Sequence, residues 1–382
     1  MKVAKRAGNL RGRHKPDLTL LTAVSVLLAF GVLMVYDSSV VSSLSMFGGQ
    51  YHYLLLQLTW VLIGLLPATF FFLVDYRRLR GLAFPLFLLS LAFLALVLLP
   101  APFAPEILGS KRWLYLNPSP LPEIPLLGRL RFQPSELAKL SLVLYLAALF
   151  ASRKRVGLRL LAPVLFFTAA LVLLEPDFGT ACILVGIGLA AYIVGKGSVM
   201  QLLVAAPFLA VAAMALILTS PYRSERLFTY LNPSLADPQG AGYQIKQVLI
   251  ALGSGGLFGL GIGRGRQKYA YLPGVDTDSI FAVLGEEFGL VGTAGLIFLY
   301  WLVIYRGFRT AQRAPDEFGR ILAASISSWL ALQALVNLGA MVGVIPLTGI
   351  TLPLISYGGS SLVVMMAAFG ILLNVSRQTV RK

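Results

Sequence analysis

Charge is scarce in this chain. Lys, Arg, Asp and Glu supply only 13% of 382 residues, against 57% hydrophobic residues. A soluble domain carries about a quarter charged residues, so an ordinary water-soluble globule is excluded. Cysteine is scarcer still. Cys182 stands alone in an apolar run, which rules out a disulfide framework within the chain. No long linker, low-complexity tract or separate soluble domain interrupts the sequence, and no internal repeat stands out. The first apolar stretch is too long for the core of a cleaved leader and no clear A-x-A site follows it, so it reads as a membrane span. The glycine run GSGGLFGLGIGRG (253–265) follows no strand and lacks G-x-x-x-x-G-K-[ST], so nucleotide binding is set aside.

What is plentiful is apolar sequence in lengths of about 20 residues, enough to span a bilayer. Ten such spans are predicted near 18–36, 52–74, 81–101, 135–151, 160–176, 178–195, 200–219, 279–305, 319–345 and 355–375. Of the 32 basic residues, 21 fall in the two tails and in the loops after spans 2, 4, 6 and 8, all on one side. The positive-inside rule makes that side cytoplasmic. The expected fold is therefore an all-α integral membrane protein of about ten transmembrane helices with both termini cytoplasmic. It divides into a basic tail (1–17), one transmembrane domain (18–376) and a second basic tail (377–382), with outer loops at about 102–134 and 220–278. The net charge of +16 is mainly topological, and a nucleic-acid partner is not expected.

The remaining cations sit on the outer face, where they do not help orientation. Lys111 and Arg112 lie in the first outer loop, and Arg226, Lys246, Arg264 and Lys268 in the second. An anionic lipid phosphate or pyrophosphate would account for them. So would headgroup contact and ion pairs with Glu106, Glu123, Glu225 and Asp237. The 220–278 segment is too long for a plain connection. Its stretch 242–260 is apolar and helix-like but short of a span, which suggests a re-entrant or interfacial helix.

Acids gather at the same face. YLPGVDTDSIFAVLGEEFGLVG (271–292) places Asp276 and Asp278 at the start of span 8, with Glu286 and Glu287 about two turns inside it. Asp278 has two readings, a helix N-cap or a functional acid. Ionisable groups within a span default to function. The 100° helical step lets Glu286 border any cavity that Asp278 faces, and turns Glu287 into the bundle. In FQPSELAKL (132–140), Glu136 and Lys139 stand at i, i+3, the spacing of an ion pair. Glu175 and Asp177 flank Pro176 in a short outer turn. Prolines and glycines break GVIPLTGITLPLISYGGSSL (343–362) between the last two spans.

KRWL (111–114), QPSELAKL (133–140), PDFGTA (176–181), GYQ (242–244), GSGGLFGLGIG, YLP…TDSIFAVLGEEFGLVG and PLTGITLPLISYGGSSL together resemble the SEDS family (shape, elongation, division and sporulation). The resemblance runs from about residue 20 to 376. RQKYAYLP (266–273), EPDFGTA and Thr348-Gly349 look more like its division branch, FtsW, than its elongation branch, RodA. Gly274-Val275-Asp276 departs from the family's commoner glutamate–alanine–histidine, and Ser279 from its phenylalanine.

The resemblance implies a peptidoglycan glycosyltransferase that polymerises lipid II at the outer face of the bacterial cytoplasmic membrane. It implies a class B penicillin-binding protein as transpeptidase partner, with other divisome or elongasome membrane proteins. It also assigns Asp278 as general base. Charge and location make Arg226, Lys246, Arg264 and Lys268 pyrophosphate candidates, with Lys111 and Arg112 further cavity candidates. Glu136 and Lys139 would line or brace the cavity, and Glu286 would be a supporting acid. No metal site or cofactor is evident, and the sequence does not decide whether a divalent cation, magnesium or manganese, takes part. The competing classes are a lipid II flippase or other transporter and a non-catalytic scaffold. A transporter should spread its ionisable groups along a path between the faces, whereas here they gather at one.

Overall fold

The computed structural model describes residues 14–107, 109–124, 128–153, 156–232, 241–269 and 271–379. The tail residues 1–13 and 380–382, Lys154, Arg155 and Asp237 lie outside the described residues. Each predicted span has its helix: α1 (Leu18–Phe47), α2 (His52–Leu73), α3 (Leu79–Val97), α4 (Pro134–Ala151), α5 (Leu158–Leu174), α6 (Phe178–Val194) and α7 (Val199–Leu218), then, beyond two shorter helices of the second outer loop, α10 (Ile280–Gln312), α11 (Glu317–Met341) and α12 (Gly359–Ser376). Eight are long and apolar enough to cross a membrane, and α5 and α6 are apolar helices of 17 residues each.

Local chemistry sets the ends. Asp17 caps α1 by accepting the Leu20 N–H at 3.1 Å, and Gly48 stops it at φ 69°. α1 therefore runs well past the predicted end at 36, to about 45 Å at 1.5 Å per residue. Asp177 starts α6 by accepting from the Thr180 N–H at 3.0 Å and the Thr180 hydroxyl at 2.8 Å. Asp316 starts α11 through the Gly319 N–H at 2.8 Å.

α11 is the central post. It packs against α4, α6, α10 and α12, and its Trp329 is fully buried. α7 is the opposite case, with no buried residue among those described. The first outer loop holds two short antiparallel strands, β1 (Leu114–Tyr115) and β2 (Arg131–Phe132), with Leu114 opposite Phe132. Two-residue strands are too short to show an alternating pattern, so the sequence reads there as loop.

The second outer loop forms α8 (Pro221–Leu231) and α9 (Ala241–Gly255). The helix expected at 242–260 ends at Gly255, and the chain beyond it docks into a break in α10. At Gly289, with φ 64° and ψ −164°, α10 leaves helical geometry. The Leu290 and Val291 N–H groups donate to the Gly256 and Leu257 carbonyls. The freed Glu286 and Glu287 carbonyls accept from the Leu260 and Gly261 N–H groups. A methyl at Gly259 would strike the Glu287 carbonyl, which is why glycine stands there.

Candidate active site

One cavity of about 1160 Å³ opens between α2, the β1–β2 hairpin, α4, α6 and the segment before α12. Tyr53, Leu56 and Trp60, at i, i+3 and i+7, turn one face of α2 towards it. The hairpin brings Tyr115, Arg129 and Arg131, and α4 brings Glu136 and Lys139. Thr277, Gln333, Thr351 and Tyr357 complete the inner wall. Arg112 also lines it, while its guanidinium holds the α5–α6 turn through the Glu175 carbonyl at 3.0 Å and the Pro176 carbonyl at 2.5 Å.

The Glu136–Lys139 spacing does give an ion pair, at 2.8 Å and almost wholly buried. Lys139 Nζ also donates to Gln333 Oε1 at 3.1 Å, which accepts from Trp329 Nε1 at 2.8 Å as well. Desolvated pairs are tolerated only when such further hydrogen bonds hold them.

Asp278 stands one residue beyond Thr277 of the cavity wall, in a turn opened by Gly274 at φ 66°. It is not the cap of α10. That position belongs to Ser279, whose side chain makes no capping bond. Gln244 Nε2 of α9 lies 3.4 Å from Asp278 Oδ2, and Thr277 Oγ1 donates to Asp278 Oδ1 at 3.2 Å. Burial pushes the Asp278 carboxyl above its ordinary range. Backbone and Thr277 hydrogen bonds, the Arg226 charge and Gln244 offset that only in part. Asp276 is raised too, by burial and by the neighbouring Asp278 charge.

The other expected residues separate clearly. Arg226 donates to the Leu347 carbonyl at 2.7 Å and contributes to the field at Asp278. Lys111 is half-buried, Lys246 and Arg264 are exposed, and none of the three lines the cavity. Lys268 is corrected outright. It is buried between Asp37 at 2.8 Å and Glu287 at 2.7 Å, which leaves no face for a pyrophosphate. Glu286 is corrected as well, because its two oxygens accept the Arg266 and Gln267 N–H groups at 2.8 and 3.1 Å. Glu287 takes the Gly263 and Gly265 N–H groups, both at 3.0 Å. These two acids fold the 261–268 loop and are absent from the cavity wall.

Sequence reasoning missed Arg129, Arg131, Tyr53, Trp60 and Gln333 as wall residues. The two arginines were visible as outer-face cations, but nothing in the sequence separated them from the rest. Gln333 carried a usable signal, an amide within an apolar span with Asn337 four residues on. Among the described residues, no group of three or more His, Cys, Asp or Glu is placed to hold a metal ion.

Residues 18–381 match the cell cycle protein family FTSW_RODA_SPOVE. Stage V sporulation protein E of Bacillus subtilis is 36% identical over 371 residues, covering 96% of this chain and 98% of that protein. The probable peptidoglycan glycosyltransferase FtsW of Nitrosococcus halophilus is 40% identical over 373 residues, covering 96% and 93%. Among solved structures, a chain from work on how a peptidoglycan synthase complex coordinates polymerization and crosslinking superposes with a TM-score of 0.75 at 32% identity, covering 95% of this chain and 98% of that one. The rod shape determining protein RodA of Thermus thermophilus gives 0.68 at 31%, covering 96% and 98%. With the motifs, the fold and near full-length relatives in agreement, the chain belongs to the FTSW_RODA_SPOVE family of cell cycle proteins, the SEDS family.

Proposed function

We propose that the chain is a peptidoglycan glycosyltransferase that polymerises lipid II, with Asp278 as the general base. The observation that carries this reading is a cavity walled by cations and aromatic rings, lined by Thr277 of the turn that carries Asp278, a carboxylate of raised basicity. In the transfer, a sugar 4-hydroxyl attacks an anomeric carbon. Asp278 takes the hydroxyl proton, the new C–O bond forms, and the bond to the lipid pyrophosphate breaks with its electron pair leaving on phosphate. The leaving group is already a stabilised anion, so fixed cations serve it better than a general acid. Arg129 and Arg131, together with Arg112 and Lys139, occupy the cavity wall and take that role in place of Lys246, Arg264 and Lys268. Arg226 acts through its field at Asp278.

The cavity opens to the outer face of the cytoplasmic membrane, both termini lie inside, and a class B penicillin-binding protein crosslinks the strands made here. The positive-inside bias supports the orientation, and the solved peptidoglycan synthase complex supports the partnership.

Asp278→Asn tests the base, because it keeps the shape of the side chain and removes its basicity. The purified protein with its transpeptidase partner should still fold and bind lipid II, and polymerise it about 10²–10⁴-fold more slowly. Asp276→Asn should retain far more activity. Near-normal polymerisation by Asp278→Asn would sink the assignment. The base must be ionised to act and its pKa is raised, so the acid limb of the rate should lie above the ordinary aspartate value of 3.8. A rate that holds constant down to that value would contradict the burial of this group.

A further inference from the structure

The Asp278 turn is gripped from outside at three successive carbonyls. The Tyr357 N–H donates to the Asp276 carbonyl at 2.8 Å, Ser356 Oγ to the Thr277 carbonyl at 2.5 Å, and Asn337 Nδ2 to the Asp278 carbonyl at 2.8 Å. Asn337 Nδ2 also donates to the Ile350 carbonyl at 2.7 Å, and Ile350 lines the cavity. The side chain is fully buried in α11, and its Oδ1 has no hydrogen-bond partner among the described residues. Burying an amide with one end unsatisfied is unfavourable, and the donor end offsets that by serving two carbonyls that a leucine of similar size would leave bare. What Asn337 adds is a tie between the main chain at Asp278 and the main chain at Ile350.

One turn earlier on the same face stands Gln333, also fully buried. Its Oε1 holds Lys139 of α4, and its Nε2 donates to the Thr351 carbonyl at 3.1 Å. Two amides at i and i+4 thus tie both sides of the cavity to one rigid helix. Gln333 fixes the cation-bearing wall, and Asn337 fixes the main chain that carries the carboxylate.

We propose that Asn337 is a positioning residue for glycosyl transfer, setting the distance between the Asp278 carboxylate and the Lys139 wall. The proposal rests on Asp278 being the base. Asn337 touches no substrate, so it acts on the rate of the bound complex rather than on binding. Misplacement of a reacting group by about 1 Å costs up to about a hundredfold in rate.

The test measures kcat and KM for lipid II polymerisation and the melting temperature of the purified complex. Its variants are Asn337→Leu, Asn337→Ser and Ser325→Ala, the last a buried hydroxyl elsewhere on α11. Asn337→Leu should lose about ten- to a hundredfold in kcat, with KM within about twofold, and should melt lower than wild type because the Asp278 and Ile350 carbonyls lose their donor. Asn337→Ser keeps one donor, should fold where leucine does not, and should show the same split at smaller size. Ser325→Ala should match wild type in all three quantities. Unchanged kcat in a folded Asn337 variant overturns the proposal, as does a loss shared equally by kcat, KM and melting temperature in both variants. Asp278→Asn runs in the same assay. If it polymerises normally, the base assignment itself has failed, whatever Asn337 does.

Discussion

Among the described residues, two sets of opposite charges are almost wholly buried, and they serve different ends. Glu136 and Lys139 pair at 2.8 Å on the cavity wall, with one glutamate oxygen left without a hydrogen bond. Asp37, Lys268 and Glu287 join at 2.7–2.8 Å away from that wall and tie α1 to the docked loop and to α10. By distance and burial alone the two look alike. What separates them is what each leaves open. The cavity pair borders space that a ligand can enter, whereas the Lys268 ammonium is enclosed by two carboxylates. Charge inside an apolar bundle therefore marks either a site or a fastener, and the free volume beside it tells which.

The largest effect should come from opening the fastener. Lys268→Met leaves Asp37 and Glu287 facing each other without a cation, and should destabilise the protein by about 3–5 kcal/mol. Thermal unfolding in detergent, with yield of folded protein, measures it. A variant as stable as wild type would show that water reaches the triad. Activity should follow the folded fraction, with KM for lipid II unchanged. A selective rise in KM would return Lys268 to the substrate site.

The cavity pair should answer in the opposite sense. Replacing both members, Glu136→Gln with Lys139→Met, removes the desolvated charges together and should leave stability within about 1–2 kcal/mol of wild type. Polymerisation should still fall, since a charge-assisted contact to the leaving group is worth about 1.5–3 kcal/mol. Wild-type turnover at limiting lipid II would make this pair a second fastener and erase the contrast.

The smallest stability effect belongs to the rim. Arg129 pairs with Glu123 at 3.2 Å where both are solvent-accessible, so Arg129→Gln should cost less than about 1 kcal/mol in melting experiments. Its signature should be a higher KM for lipid II that added salt partly hides. An unchanged KM at low salt would leave Arg129 as surface decoration.

The spans were legible because each needs only a run of apolar residues, and composition along the chain reports that directly. Glu136 and Lys139 were legible because their partnership is local, one helical turn apart. Lys268 was not. Its partner Asp37 is 231 residues away, and one outer-loop cation looks like another until the fold brings that aspartate to it. Glu286 failed for a related reason. Helical phase predicts the direction of a side chain, but not that the chain would return and offer it two backbone N–H groups. The aromatic wall of α2 was hidden because in an apolar span an aromatic facing lipid and one facing a cavity share the same neighbours in sequence.

The break in α10 bears on how such proteins exchange parts. Residues 280–288 are bonded to the loop that precedes them as firmly as to the helix that follows, because the hydrogen bonds lost across Gly289 reappear between 256–261 and 286–291. The natural unit is therefore about 241–291, which straddles the helix start. A chimera that takes this block whole from a relative should keep its internal pairing intact. One that joins at the start of α10 sets a foreign loop against the native break, and the glycines at 259 and 289 must then match across two parents.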